Sequence, residues 1–160
     1  MSNQLDLNVA EALFLAVQME QRAISMYERA LLVFRTGGLP GVMEALLSDE
    51  RAHRETFERM LQMEAPVSPE RQQLLGAAAG DLLFEGGLVG AVREGAFDSA
   101  VSLIAYAADE EERAAERYLS FSSLAAGHAK DTFLDIAAQE RMHRERLLMR
   151  LDALREREDG

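Results

Sequence analysis

Four apolar stripes at helical spacing run through this chain, and each carries a glutamate near its middle. The first consists of Leu13, Ala16, Val17, Ala23, Ile24, Tyr27, Leu31 and Phe34, with Glu20 among them. The second is Met43, Leu46, Leu47, Phe57, Met60 and Leu61, with Glu50 and His53 in register. The third is Phe97, Val101, Ile104, Ala108, Ala115 and Tyr118, with Glu111. The fourth is Phe133, Ile136, Leu147, Leu151 and Leu154, with Glu140 and His143. Residues three or four apart share one helix face, so each acid points where its stripe points, into the core.

Glu50-Arg51-Ala52-His53-Arg54-Glu55 and Glu140-Arg141-Met142-His143-Arg144-Glu145 are near copies, each an acid and an imidazole at i, i+3. Such a pair on each of two helices, with one further Glu from each of two others, is the ligand set of a two-metal carboxylate site in a helical bundle. Charge arithmetic agrees. A carboxylate buried without a partner costs several kcal/mol, and four in one core demand cations. Two divalent ions carry the charge of four carboxylates. Carboxylate and imidazole without thiolate suit iron or manganese, with zinc as a substitute. The expected ligands are Glu20, Glu50, His53, Glu111, Glu140 and His143. Glu110 and Glu112 fall off the stripe and read as flank residues, and His128 reads as a solvated residue at a helix start. Tyr27 and Tyr118 read either as core aromatics or as phenols bonded to a ligand carboxylate two turns away on their own stripe. The Met residues read mostly as core filler, and the Arg and Glu around the two motifs as solvated pairs.

Turn signals divide the chain. The first long helix is expected from about Leu7 to Arg35, stopped by Gly37-Gly38-Leu39-Pro40-Gly41. The second runs from about Val42 to Glu64 and ends at Ala65-Pro66. Ser68-Pro69-Glu70 reads as a fresh helix start. The stretch Gly76 to Gly95 is Gly-rich but carries Leu82, Leu83, Phe84, Leu88 and Val89, and residues 66–95 read as a crossover with one or two short helices. The third long helix is expected from about Ala96 to Ala126, with Gly127 as its C-cap, and the fourth from about His128 to Arg155, after which the charged end frays. The offsets support two matching halves, since Glu20 and Glu111 are 91 residues apart and Glu50 and Glu140 are 90. The expected fold is all-α, a ferritin-like four-helix bundle with one long crossover between the second and third long helices, as a single domain over residues 1–160.

Composition narrows the chemistry. The 160 residues contain no Cys, so disulfides, zinc fingers, iron–sulfur clusters and thiol catalysis are excluded. A net charge of −11 argues against nucleic-acid binding. No apolar run reaches the roughly 18–20 residues of a membrane span, and Met1-Ser2-Asn3-Gln4-Leu5-Asp6 lacks the features of a signal peptide, so a cytoplasmic location without membrane contact is expected.

At these residues the chain resembles the rubrerythrin branch of the ferritin-like diiron proteins. The resemblance covers roughly residues 7–155 and rests on Glu20 with Tyr27, Glu50-x-x-His53, Glu111 with Tyr118, and Glu140-x-x-His143. It implies a diiron centre held by those six Glu and His residues, with carboxylates bridging the irons. The chain departs from the family in two ways. Typical rubrerythrins have an additional ligand Glu one turn before the third-helix Glu, where this chain has Ala108. They also usually append a rubredoxin domain, which needs four thiolates and is absent here.

The function expected from the sequence is therefore reduction of O2 or hydrogen peroxide with oxidation of Fe(II), as a rubrerythrin-like peroxidase or a ferroxidase in oxidative stress or iron handling. Two iron ions are the expected cofactors, and peroxidase turnover requires a separate electron-donor protein. Non-catalytic iron sequestration or delivery is the alternative, and a redox-silent zinc or manganese bundle a third. The apolar crossover suggests a covered interface, and a homodimer is the expected assembly.

Overall fold

The computed structural model describes residues 6–82 and 87–159; of residues 78–82, 87–89 and 158–159 it describes the backbone alone. Among the described residues all regular secondary structure is helical. Their elements are α1 (Val9–Val33), α2 (Leu39–Gln62), α3 (Pro69–Leu82), α4 (Gly87–Arg93), a 3-10 turn (Ala96–Asp98), α5 (Ala100–Ser122) and α6 (Gly127–Asp159). No described helix is long and apolar enough to cross a membrane.

The four long helices form two antiparallel hairpins, α1 against α2 and α5 against α6, while α3 and α4 lie on α1 in the connection between them. Each start has a local cause. Asn8 caps α1 by accepting from the Glu11 N–H at 2.8 Å, and Glu11 reaches back to the Asn8 N–H, a reciprocal box. Glu11 also pairs with Arg71 of α3, which ties the connection to the first helix. Ser68 accepts from the Arg71 N–H and opens α3 at Pro69, as the sequence suggests.

Several boundaries differ from expectation. Leu39-Pro40-Gly41 does not separate helices but forms the first turn of α2, where proline's missing N–H costs nothing. The third long helix starts at Ala100 rather than Ala96, because Ser99 is its cap and accepts from the Ser102 N–H. It ends at Ser122, before Gly127. The chain tightens there into i→i+3 bonds, from Ser123 to Ser120, Leu124 to Phe121 and Ala125 to Ser122. Gly127, at φ +59°, therefore opens α6 instead of capping α5. The acidic end of α6 stays helical to Asp159. The crossover does contain two short helices, α3 and α4, but Leu83 and Phe84 lie outside the described residues.

The core comes in two apolar layers. One joins Leu13, Ala16 and Met19 to Phe57, Tyr118, Phe121, Phe133 and Ile136, with Val67 and Leu75 of the connection covering it. Its rings stack closely, Phe57 lying 5.2 Å from Tyr118 and 5.5 Å from Phe133 between centroids. The other is mostly aliphatic and joins Ile24, Met26, Tyr27, Met43, Leu46, Ile104, Ala108 and Leu147. Met19, Met26 and Met43 fill core as expected, whereas Met63, Met142 and Met149 are exposed.

Candidate metal centre

Between the two apolar layers lies a polar one, contributed by all four long helices. Glu20 comes from α1, Glu50 and His53 from α2, Glu111 from α5, and Glu140 and His143 from α6. All six are buried, the most exposed at 4%. They sit there because each lies on the inward line of its helix: Ala16, Val17, Ala23 and Ile24 flank Glu20, Ala107, Ala108, Ala114 and Ala115 flank Glu111, and the two Glu/His pairs lie between Leu46, Leu47 and Phe57 and between Ile136, Ala137 and Leu147.

Donor atoms of these residues form two groups, Glu20, Glu50, His53 and Glu140 in one and Glu50, Glu111, Glu140 and His143 in the other. Within each group one atom per residue lies within 4.8 Å of the others. Glu50 and Glu140 belong to both, so the two groups share a pair of carboxylates. His53 Nδ1 approaches Glu140 at 3.2 Å and Glu20 at 3.6 Å. His143 Nδ1 approaches Glu50 at 3.1 Å, Glu140 at 3.3 Å and Glu111 at 3.5 Å.

These polar atoms lack partners. Among the described residues, the buried side-chain atoms without a hydrogen bond are Glu20 Oε2, both Glu50 oxygens, His53 Nδ1, Glu111 Oε2, Glu140 Oε1, His143 Nδ1 and, elsewhere, Arg150 Nε. All but the last belong to the six residues of the layer. Buried polar groups are ordinarily satisfied, and unmet ones cost about 1–3 kcal/mol each. A set of unmet oxygens and imidazole nitrogens converging on two points is what cation coordination would satisfy. Buried Glu/His groups of this composition could hold metal ions, and the donor types fit hard to borderline divalent ions.

Four other atoms of the six are held from outside. Tyr118 O–H donates to Glu20 Oε1 and Tyr27 O–H to Glu111 Oε1, both at 2.6 Å. Both phenols are fully buried. The sequence suggested a partner on the same stripe. The bonds instead cross between hairpins, because along one helix seven residues separate a Tyr from its Glu by roughly 10 Å, whereas α1 and α5 face each other. Outward of the imidazoles, His53 Nε2 lies 2.8 Å from Gln139 Oε1, and His143 Nε2 lies 2.9 Å from Asp49 Oδ2. Each acceptor takes an Nε2–H, which orients the ring and turns Nδ1 inward.

Sequence reading missed Asp49 and Gln139. The signal available was position: each immediately precedes the Glu of its own Glu-x-x-His pair, yet serves the imidazole of the other. Glu112 pairs with Arg141 at 3.4 Å on the helix flank, whereas Glu110, paired with Arg113 at 2.9 Å, is mostly buried and lines a pocket that reaches the layer. His128 is exposed at the start of α6. Ala108 packs in the aliphatic layer, one turn from Glu111.

In the absence of cations the layer retains protons. Burial pushes the Glu50 carboxyl well above the usual range, and Glu140, Glu20 and Glu111 add to it. Burial, then Glu140, pushes Glu111 up to about 8, against the pull of His143 and Tyr27. Burial works against a charged imidazole, but Glu140 and Glu20 outweigh it at His53, raised to about 11, and Glu111 and Glu140 do so at His143, raised to about 10. Glu140 goes the other way. Burial would raise it, yet the His143 and His53 imidazoles hold it down to about 2. Because Nε2–H is committed outward, the proton that a cation must displace from each ring is the one on Nδ1.

A pocket of about 20 Å³ reaches this layer between α1 and α5. Its walls include Met19, Arg22, Ala23, Met26, Glu110 and Ala114, and Glu20, Glu50, Glu111 and Glu140 lie along it. That is room for about one water-sized molecule. No protein-family model, curated protein or solved structure matches the chain.

Proposed function

We propose that this chain is a diiron-carboxylate oxidoreductase that reduces hydrogen peroxide or O2 while oxidising Fe(II), in a ferritin-like bundle of the rubrerythrin type. The observation that carries the reading is the pair of four-residue donor groups sharing Glu50 and Glu140, with their inward atoms unpartnered. Glu20, Glu50, His53 and Glu140 would hold one ion and Glu50, Glu111, Glu140 and His143 the other, Glu50 and Glu140 being common to both. When bound, two Fe(II) ions supply one electron each, enough with two protons to turn one hydrogen peroxide into two waters.

The chain's own groups prepare that event. Tyr118 and Tyr27 fix one oxygen of Glu20 and of Glu111, leaving the second oxygen of each free to face an ion. Burial pushes both phenols well above their usual range, with the nearby carboxylates adding to it, so they remain hydrogen-bond donors. Gln139 and Asp49 hold the two rings. The narrow α1/α5 pocket favours diatomic and peroxide-sized reactants over organic substrates, for which ~20 Å³ is too small. These 160 residues hold no Cys for a rubredoxin-type iron site, so sustained peroxidase turnover would draw electrons from outside them; without such a supply, Fe(II) itself is the reductant.

Anaerobic loading with Fe(II), followed by O2 or hydrogen peroxide and optical spectroscopy, tests this. The expected result is two irons per chain and a rapid change dependent on oxidant. Stoichiometry far above two would favour iron sequestration. Loading without any response to either oxidant would remove the redox assignment and leave a bundle built around a structural metal.

A further inference from the structure

The two halves of the buried layer match in every ligand, yet they differ one bond further out. Each group has one imidazole turned inward through Nδ1, one unshared Glu, one Tyr holding that Glu at 2.6 Å, and both shared carboxylates. The residue before each Glu-x-x-His pair breaks the match. In α6 it is Gln139, a neutral amide whose oxygen faces His53 Nε2 at 2.8 Å. In α2 it is Asp49, a carboxylate facing His143 Nε2 at 2.9 Å. The connection is crossed, so the acid next to Glu50 acts on the group completed by His143, and not on the group containing its own His53.

A carboxylate accepting an imidazole N–H raises the ring's electron donation through the other nitrogen more than an amide does, and the bond is charge-assisted. The carboxylate also brings one further negative charge to within one imidazole of that position. Resting on the reading of this layer as a two-metal site, we infer that the two positions are unequal: the one completed by Glu111 and His143 is the tight site, the one completed by Glu20 and His53 is the labile site, and Asp49 and Gln139 are the positioning residues that set the difference. The labile position is then the one that exchanges iron with solution, and the tight one stays filled.

Anaerobic calorimetry of the full chain with Fe(II) alone tests this by affinity, apart from any turnover. Two binding steps are expected. His53→Ala should leave one step with the tighter affinity, and His143→Ala one step with the weaker. Adding Asp49→Asn to His53→Ala should weaken the remaining step about tenfold, the low end of the range for losing such a partner, and Asp49→Glu should restore most of it. Adding Asp49→Asn to His143→Ala should change little, whereas Gln139→Glu there should tighten the step about tenfold. Should either His variant fail to fold, Asp49→Asn alone still reads out, because it should bring the two steps of the otherwise unaltered chain together. Steps that stay equally spaced in Asp49→Asn, or a tighter step that survives in His143→Ala, would overturn the inference and leave the two-metal reading standing. An unaltered chain that binds no Fe(II) would sink that reading itself.

Discussion

The α1/α5 side of the buried layer and its α2/α6 side do different work with similar residues. On the α1/α5 side the layer is closed by phenols that are themselves buried, and the opening between the helices is lined by Met19, Ala23, Met26 and Ala114 together with the charged Arg22 and Glu110. On the α2/α6 side it is closed by imidazoles whose outer nitrogens bond to groups at the surface, Asp49 being about half exposed and Gln139 exposed. The first side leaves a water-sized space against carboxylates. The second links the same carboxylates, through two rings, to the outside. The difference teaches that a pseudo-symmetric site gains direction from its outer partners, since the ligands alone would look alike from either side.

The comparison breaks most completely if the shared acids are lost. Glu50→Gln or Glu140→Gln removes a donor common to both groups, so both metal-binding steps and the associated gain in melting temperature should disappear. A ligand at a hundred times its Kd contributes about 2.7 kcal/mol, or roughly 5–10 °C per site for a chain of this size. Thermal melts with and without Fe(II) under argon measure it.

A second, smaller effect concerns protons standing in for metal. Glu111 rises from 4.5 to about 8 on folding, and Glu50 also rises, so the folded metal-free protein binds protons that the unfolded chain has released. That stabilisation is complete below about pH 4.5 and is lost as pH rises through 8; the imidazoles extend the loss from 6.5 to about 10 and 11. Glu140, lowered to about 2, acts oppositely but only below about 4.5. Metal-free protein should therefore melt several degrees higher at pH 5.5 than at pH 8. Added Fe(II) should abolish or reverse the trend, because binding releases those protons. A flat profile for the metal-free form would count against a buried, proton-holding layer.

The pocket side can be altered alone. Ala114→Leu puts a branched side chain into the α1/α5 opening and should slow oxidation by peroxide about tenfold or more, while Fe(II) affinity at the imidazole side stays within twofold. Stopped-flow absorbance paired with calorimetry separates the two; an unchanged rate would show that the reactant arrives by another route. The smallest effect belongs to the helix surface. Glu55→Gln and Glu145→Gln repeat the chemistry of the first substitution two turns or less from the ligands, but outside the layer. They should change stability by less than about 0.5 kcal/mol and leave metal binding intact. Glu55 makes an exposed contact with Arg59 at 3.7 Å.

Much of this was legible because helical periodicity is a local property. Placing Glu20 on the line of Ile24 and Tyr27, or His143 on the line of Leu147, needs no knowledge of the partner helix. The boundaries were less legible where a residue's role depends on its neighbours' hydrogen bonds. Pro40 reads as a breaker but is harmless in a first turn, and Gly127 reads as an end but opens α6 once Ser123, Leu124 and Ala125 have closed the preceding turn. The identities of the phenol and imidazole partners were not legible at all. Tyr27 to Glu111 spans 84 residues and His143 to Asp49 spans 94, and nothing local pairs them.

By itself, then, the sequence determined that four helices would each turn an acid inward, and that two would add an imidazole, because side-chain direction along a helix follows from spacing. It also determined that the layer would contain more carboxylates than an apolar core tolerates without cations. Only the tertiary structure decided which atoms meet. It crossed the tyrosines between hairpins, gave one ring an aspartate and the other a glutamine, and left the opening between α1 and α5. Those outcomes depend on the rotation and approach of one helix against another, which are set by packing over the whole core and are not written in any single stripe.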